Sequence, residues 1–309
     1  MKFLQKKMKS KLEKIAKDTN ILLKRFIKKQ KKSDLLIPMK YGLFSGGKKI
    51  RSKILVDIGS LFRLDYKNLI LIGSVVECIH AYSLIHDDLP CMDNDEIRRG
   101  KQSTHVKFGE ATAVLAGNSL LTMAFEILSH KDFNISEQVK INLVNKLSES
   151  SGHLGIAGGQ YLDLSFENQK VSKKRVLEME RKKTGKLFSF CCAAPLILKN
   201  KNKKEINKFE KIGLDIGLLF QVADDLIDHK GSFLKAGKKT QKDKKKGKAT
   251  LISLLGHENT IKYAKELILK INSSAYLIVF LYPSKLISVA LPFFLSFCVF
   301  FPAFKKLPL

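Results

Sequence analysis

Residues 86–100, HDDLPCMDNDEIRRG, hold the densest chemistry of the chain. Asp87 and Asp88 come first, Asp93, Asp95 and Glu96 follow, and Arg98 with Arg99 close the run. Carboxylates this close repel one another unless a cation stands among them. Oxygen ligands suit Mg²⁺, and Mg²⁺ commonly brings phosphate with it. A second cluster, Asp224, Asp225 and Asp228, follows Phe220-Gln221 in FQVADDLID. Asp224 and Asp228 stand four apart on one helical face, where like charges destabilise an isolated helix. Acidic runs are more often solvated faces. Here each cluster closes an apolar stretch, residues 69–85 and 212–222, which favours function over decoration. Together they point to a Mg²⁺–diphosphate site between two facing helices.

The elements that must position these residues are helical. Apolar spacing is mostly i, i+3, i+4 and turn punctuation is sparse, which predicts an all-α fold. A basic amphipathic helix is expected over residues 1–32. A loop with Pro38 follows, then a glycine-containing turn over 41–51 that enters a helix at 50–62. Lys48, Lys49 and Arg51 behind Gly46-Gly47 could form an anion pocket, although Gly-Gly-Lys also occurs in ordinary turns. The first long core helix runs over 69–88. His80 lies seven residues before Asp87 on the same face, as a ligand or as a satisfied core group. Pro90 ends that helix, so Asp93 reaches the site from an irregular segment. Further helices are expected over 109–129, 141–159, 177–199 and 205–228. Gly152, Gly155, Ala157, Gly158 and Gly159 permit a close helix approach or a kink. Residues 229–250 read as a Gly- and Lys-rich loop, a lid over a phosphate or a plain basic loop.

The chain has 309 residues, 45% of them hydrophobic, and a net charge of +27. That charge does not indicate nucleic-acid binding: the lysines are spread evenly and aromatic residues are not interleaved with them. Lysine dominates over arginine throughout, so the Arg98-Arg99 pair beside the acids stands out as a bidentate phosphate ligand. Cys78, Cys91, Cys191, Cys192 and Cys298 show no zinc spacing and suit reduced thiols of a cytoplasmic protein. The basic N-terminus does not read as a signal peptide. Residues 275–309 break the pattern. They are almost uncharged apart from Lys285 and the Lys305-Lys306 pair, and Pro283 and Pro292 interrupt them. A terminal helix pair, a membrane-associating tail and an altered reading frame all remain open.

These motifs, in this order, resemble the trans-prenyltransferases of the polyprenyl diphosphate synthase family, bacterial farnesyl diphosphate synthases in particular. The likeness covers about residues 35–270. It rests on GGKKIR, VECIHAYSLIHDDLPCMDNDEIRRG, HVKFGEATAVLAGNSLL, GGQYLDL, KKTGKLF, FQVADDLID, GKKT and GKAT. The resemblance implies one large helical bundle around a deep central cavity, formed by residues 1–274, usually as a homodimer. It implies head-to-tail joining of isopentenyl diphosphate to an allylic diphosphate, with three Mg²⁺ ions to a site. Asp87, Asp88, Asp93, Asp224 and Asp228 are then expected to bind the metal. Arg98, Lys183, Thr184, Gln221 and Lys238 are expected to hold the allylic diphosphate, and Lys48, Arg51, His80 and Arg99 the isopentenyl one. In the family the product tunnel ends on the first motif's helix, which makes Tyr82 its floor and farnesyl diphosphate the product. The alternatives are a geranylgeranyl diphosphate synthase or a weakly active paralogue acting as a partner subunit. The hydrophobic ending departs from the family, whose members close on polar helices and a basic tail.

Overall fold

The computed structural model describes residues 2–229 and 247–281. Lys238, most of the 229–250 loop, and residues 282–309 with Cys298 lie outside the described residues. Among those described, the chain is helical apart from its turns and one small ribbon. The helices are α1 (Lys2–Lys29), α2 (Leu36–Leu43), α3 (Ile50–Leu61), α4 (Tyr66–Asp87), α5 (Thr104–Phe108) and α6 (Glu110–Ser129). They continue as α7 (Glu137–Ser151), α8 (Ile156–Ser165), α9 (Lys173–Glu180), α10 (Lys186–Leu198), α11 (Lys203–His229) and α12 (Leu251–Leu281). A π-helical turn, Arg181–Gly185, joins α9 to α10. The chain divides into two compact units. One comprises residues 11–148 and 194–201, the other residues 1–10, 149–193 and 202–309.

In the first unit α3 and α6 pack against α4. Asp65 starts α4 by accepting a hydrogen bond from the Asn68 N–H at 3.2 Å, which satisfies one of the free donors of a helix start. The helix is then apolar on every side, and residues 69–79 are all buried. Such a helix belongs in a core. By length and composition α4 and α6 could each cross a membrane, but α4 is mostly buried in its own unit. Burying each large aliphatic side chain contributes roughly 1.5–3 kcal/mol, so this core is what holds the acidic end of α4 in place. Ile72, with no exposed surface, is a position where truncation to Ala costs about 2–5 kcal/mol. Leu89 and Pro90 follow the helix end, as expected.

In the second unit α11 packs against α12 and the π-turn, and α8 packs against the same turn and α9. The approach is close enough to require missing side chains. A Cβ on Gly159 would stand 2.1 Å from the Lys183 backbone nitrogen, and one on Gly217 2.6 Å from the Gly185 Cα. Gly159 of GGQ and Gly217 of α11 therefore allow their helices to meet the turn.

Several boundaries differ from the sequence expectation. Pro38 lies inside α2, in the first turn, where its missing N–H has no intrahelical acceptor to lose. Residues 41–43 continue that helix instead of opening a turn. The stretch 141–159 is two helices, parted at Gly155 by non-helical backbone (φ −129, ψ −130). The stretch 177–199 is interrupted by the π-turn. The compositional change at residue 275 coincides with no helix end, since α12 runs on to Leu281.

Candidate active site

The end of α4 is folded back on itself. The Asp93 N–H donates to the Asp87 carbonyl at 2.8 Å, and the Asp95 N–H to the Asp88 carbonyl at 3.1 Å. The loop after Pro90 thus returns Asp93 to the helix end that carries Asp87 and Asp88. A two-residue hairpin follows. Ile97 pairs with Gln102 and Arg98 with Lys101, and the turn residues Arg99 (φ 53) and Gly100 (φ 75) both take positive φ. That is the geometry whose twist suits a tight hairpin, and glycine takes it without strain.

The hairpin sends its two arginines to different partners. Arg98 Nε donates to Asp88 Oδ1 at 2.9 Å and Oδ2 at 3.2 Å, and its terminal nitrogen also meets Oδ1. Asp95 lies 3.7 Å from the same guanidinium. Burial pushes the Asp88 carboxyl up despite this pairing. Burial also works against the Arg98 charge, yet the hydrogen bond and charge of Asp88 hold its pKa above the ordinary value. Because arginine stays protonated, we take the pair as ionised. Arg99 instead donates to the Gly46 carbonyl and reaches Ser45 Oγ at 3.4 Å, which ties the hairpin to the Gly-Gly-Lys segment.

Around that segment the expected cations gather. Arg51 lies 3.3 Å from His80 Nε2. Arginine can only donate, so Nε2 accepts and the imidazole is neutral, with its proton on Nδ1. Burial, then the charges of Arg51, Arg99, Lys49 and Arg98, hold His80 well below its ordinary range. Lys48 is exposed, whereas Lys49 is buried and paired with Glu77 at 3.2 Å. The two adjacent lysines therefore differ in kind: one is available to an anion, the other anchors the start of α3. Tyr82, buried on α4, stands about 7.5 Å along the axis before Asp87 at the usual helical rise. Burial and the Asp87 charge push its phenol up to about 12.

The second unit carries the remaining groups. The π-turn presents Lys183 and Thr184. Thr184 Oγ1 donates to Gln221 Oε1 at 3.0 Å, and Gln221 Nε2 donates to Asp225 Oδ1 at 2.9 Å. Lys183 Nζ lies 2.6 Å from Asp163 Oδ2, and Lys248 Nζ 2.8 Å from the same oxygen. Burial opposes the Asp163 charge, but the two lysines hold its pKa below the ordinary value. Glu180 is buried, and burial followed by the charge of Asp225 raises its carboxyl well above the usual range. Asp224, Asp225 and Asp228 occupy the last turns of α11, with Asp225 and Asp228 buried.

Among the described residues no three His, Cys, Asp or Glu side chains converge as a ready-made metal cage. The donor chemistry nevertheless fits Mg²⁺, which takes one or two carboxylates per ion and fills its shell with water and substrate phosphate. Both ends offer only oxygen. At the end of α11 burial first, and then the charge of Asp225, raises the Glu180 carboxyl. Gln160 keeps both side-chain polar atoms buried without a hydrogen-bond partner among the described residues, a polar capacity that a ligand or water can meet.

The polyprenyl synthetase family profile matches residues 32–275. The chain belongs to the polyprenyl synthetase family. Over 238 residues it is 41% identical to the farnesyl diphosphate synthase of Bacillus subtilis, covering 74% of this chain and 80% of that protein. Over 261 residues it is 40% identical to the farnesyl diphosphate synthase of Escherichia coli, covering 83% and 87%. A crystal structure of geranyltransferase from Helicobacter pylori, complexed with magnesium and isoprenyl diphosphate, superposes with a TM-score of 0.79 at 29% identity. That match covers 96% of this chain and 98% of the other. The fold of this polyprenyl synthetase is accordingly the all-α isoprenoid synthase type.

Three groups around the π-turn carry no clear signal in the sequence. Lys248 of GKAT, and not only the expected Lys238 of GKKT, enters the picture, since it shares Asp163 with Lys183. Asp163 is the acid of GGQYLDL, and nothing local to that motif marks its two lysine partners. Glu180 was passed over in a charged helix end. The available signal was its spacing: three residues before Lys183, it falls on the inward side of the segment that ends in KKTG.

Proposed function

We propose that the chain catalyses head-to-tail prenyl transfer, joining isopentenyl diphosphate to dimethylallyl and then geranyl diphosphate to give farnesyl diphosphate. The observation that carries this reading is the 40–41% identity to two farnesyl diphosphate synthases over most of their length. Mg²⁺ is the cofactor, three ions to a site, bound by Asp87, Asp88, Asp93, Asp224 and Asp228. When bound, it supplies positive charge to the diphosphate oxygens as they become a leaving group.

The chain's own residues do the rest. Arg98, Lys183, Thr184, Gln221 and Lys248, with Lys238, hold the allylic diphosphate. Cations fixed in advance stabilise the leaving group as its C–O bond ionises, with little reorganisation. Lys48, Arg51, His80 and Arg99 hold the isopentenyl diphosphate, His80 as a neutral ring whose Nδ1–H donates. Apolar walls exclude water that would quench the allylic cation. The isopentenyl double bond attacks that cation, and the proton then lost from the adjacent carbon goes to the released diphosphate. Tyr82 is the floor against which the growing chain stops at fifteen carbons. A geranylgeranyl product needs a smaller side chain there. We place this activity in residues 1–274, in a cytoplasmic homodimer.

The test is a product assay on purified protein with labelled isopentenyl diphosphate and dimethylallyl or geranyl diphosphate, with and without Mg²⁺. Mg²⁺-dependent farnesyl diphosphate is expected. A folded protein that yields no prenyl product sinks the reading, and a twenty-carbon main product overturns the assignment of Tyr82.

A further inference from the structure

Tyr82 does not stand alone on α4. His86 lies four residues on, over the same face, and its imidazole meets the phenol edge to face, ring centres 5.6 Å apart and planes at 83°. The imidazole is also held from α6: its Nε2 lies 3.1 Å from the Val114 carbonyl. A carbonyl only accepts, so Nε2 carries the proton and donates. The ring fits against α6 because residue 117 has no side chain. A Cβ there would stand 2.2 Å from Nε2 and 2.4 Å from Cδ2 of His86.

An aromatic ring stops a growing chain only if it cannot swing aside. A neighbouring ring at its edge restricts that rotation, and a hydrogen bond that fixes the neighbour makes the restriction firm. We infer that α6, through Gly117 and the Val114 carbonyl, is a second determinant of product length: it seats His86, and His86 backs the ring of Tyr82. This rests on the reading of Tyr82 as the tunnel floor. It adds that Tyr82 is a sufficient floor only while the notch at Gly117 remains open.

The experiment measures the ratio of twenty-carbon to fifteen-carbon product at low conversion, with fixed isopentenyl and geranyl diphosphate. The ratio is internal to each preparation, so it does not follow the amount of folded enzyme. Four variants are compared with the wild type: Tyr82→Ala, His86→Ala, His86→Phe and Gly117→Ala. Tyr82→Ala raises the ratio most. His86→Ala raises it by about threefold or more, the range of one edge-to-face ring pair. Gly117→Ala, which leaves every α4 residue intact, raises it too, because the displaced imidazole no longer backs the phenol. His86→Phe restores a ring and keeps the ratio within about half of the His86→Ala effect. If Tyr82→Ala lengthens the product while His86→Ala and Gly117→Ala leave the ratio at its wild-type value, the inference is wrong and the floor stands. If Tyr82→Ala still gives only fifteen carbons, the floor reading fails and takes this inference with it. Should Gly117→Ala not fold, His86→Ala against His86→Phe decides alone.

Discussion

The two acidic helix ends carry the same residue type and solve its electrostatics in opposite ways. At the end of α4 the chain answers its own charge. The loop folds Asp93 and Asp95 back onto the helix carbonyls, and the hairpin sets Arg98 on Asp88. At the end of α11 acid meets acid: burial, then the Asp225 charge, raises the Glu180 carboxyl well above the usual range. One end is balanced by a guanidinium; at the other, burial and a like charge favour the proton. An Asp-rich motif therefore does not announce its own charge state. What decides it is the residue that the fold brings alongside, from ten positions downstream in one case and forty-five upstream in the other.

The comparison breaks most readily at Asp88. Asp88→Asn is expected to lower kcat by about 10³-fold, since a carboxylate proposed to hold the Mg²⁺ that stabilises the leaving diphosphate is lost. It also leaves the Arg98 guanidinium without its carboxylate, at a cost of about 1–3 kcal/mol. Steady-state kinetics and a thermal melt measure the two, and an unchanged melting temperature would contradict the guanidinium balance. Asp163→Asn comes next. It frees two lysines from one oxygen and costs about 2–4 kcal/mol, discounted because Lys183 is partly exposed. The sign with pH is fixed: the folded pKa of Asp163 is lowered, so its contribution is full above about pH 4 and fades as pH falls through the folded value. Wild type and variant should therefore converge in acid, as denaturant titrations at several pH values will show.

At the other end the expected sign reverses. Asp225→Asn removes the acid that faces Glu180 and should raise the free energy of unfolding by about 1 kcal/mol, while activity falls. A loss of stability there would mean that the acid-on-acid account is mistaken. The smallest effect belongs to Glu180→Gln. Glu180 has a raised folded pKa, so its favourable state is complete below about pH 4.3 and lost as pH rises toward the folded value. The Gln variant lacks that decline. Its stability relative to wild type should grow as pH rises above about 4.3, and a flat difference would count against a raised Glu180 carboxyl.

Much of this was legible in the sequence because long elements carry redundant signals. α4 and α11 announce themselves by length and by long, mostly apolar stretches, and Pro90 marks where α4 must end. Thr184 and Gln221, thirty-seven positions apart, do meet through one hydrogen bond. What stayed hidden depends on short-range exceptions or on distant partners. Pro38 breaks helices in general but not in a first turn. α7 stops at Ser151 and non-helical Gly155 opens α8, in a stretch whose apolar spacing continues. The π-turn at Arg181–Gly185 has no compositional mark at all, since its extra residue is accommodated by bare backbone at Gly159 and Gly217. The pairing of Lys248 with Asp163 spans eighty-five residues, and no local pattern states it. The same holds for adjacent Lys48 and Lys49, whose different fates are set by Glu77 on another helix.

The hairpin at Ile97–Gln102 has a consequence for how this segment can change over evolutionary time. Arg98 ends a strand and Arg99 begins the turn, and that single step of chain separates a partner at Asp88 from a partner at Gly46. The two guanidinium groups are thus sorted by register alone. Inserting one residue between Ile97 and Gly100 would keep every side chain in the inventory and shift the register that sorts both. The segment tolerates exchange of letters but not of spacing, and length variation among descendants of this gene should be confined to other loops.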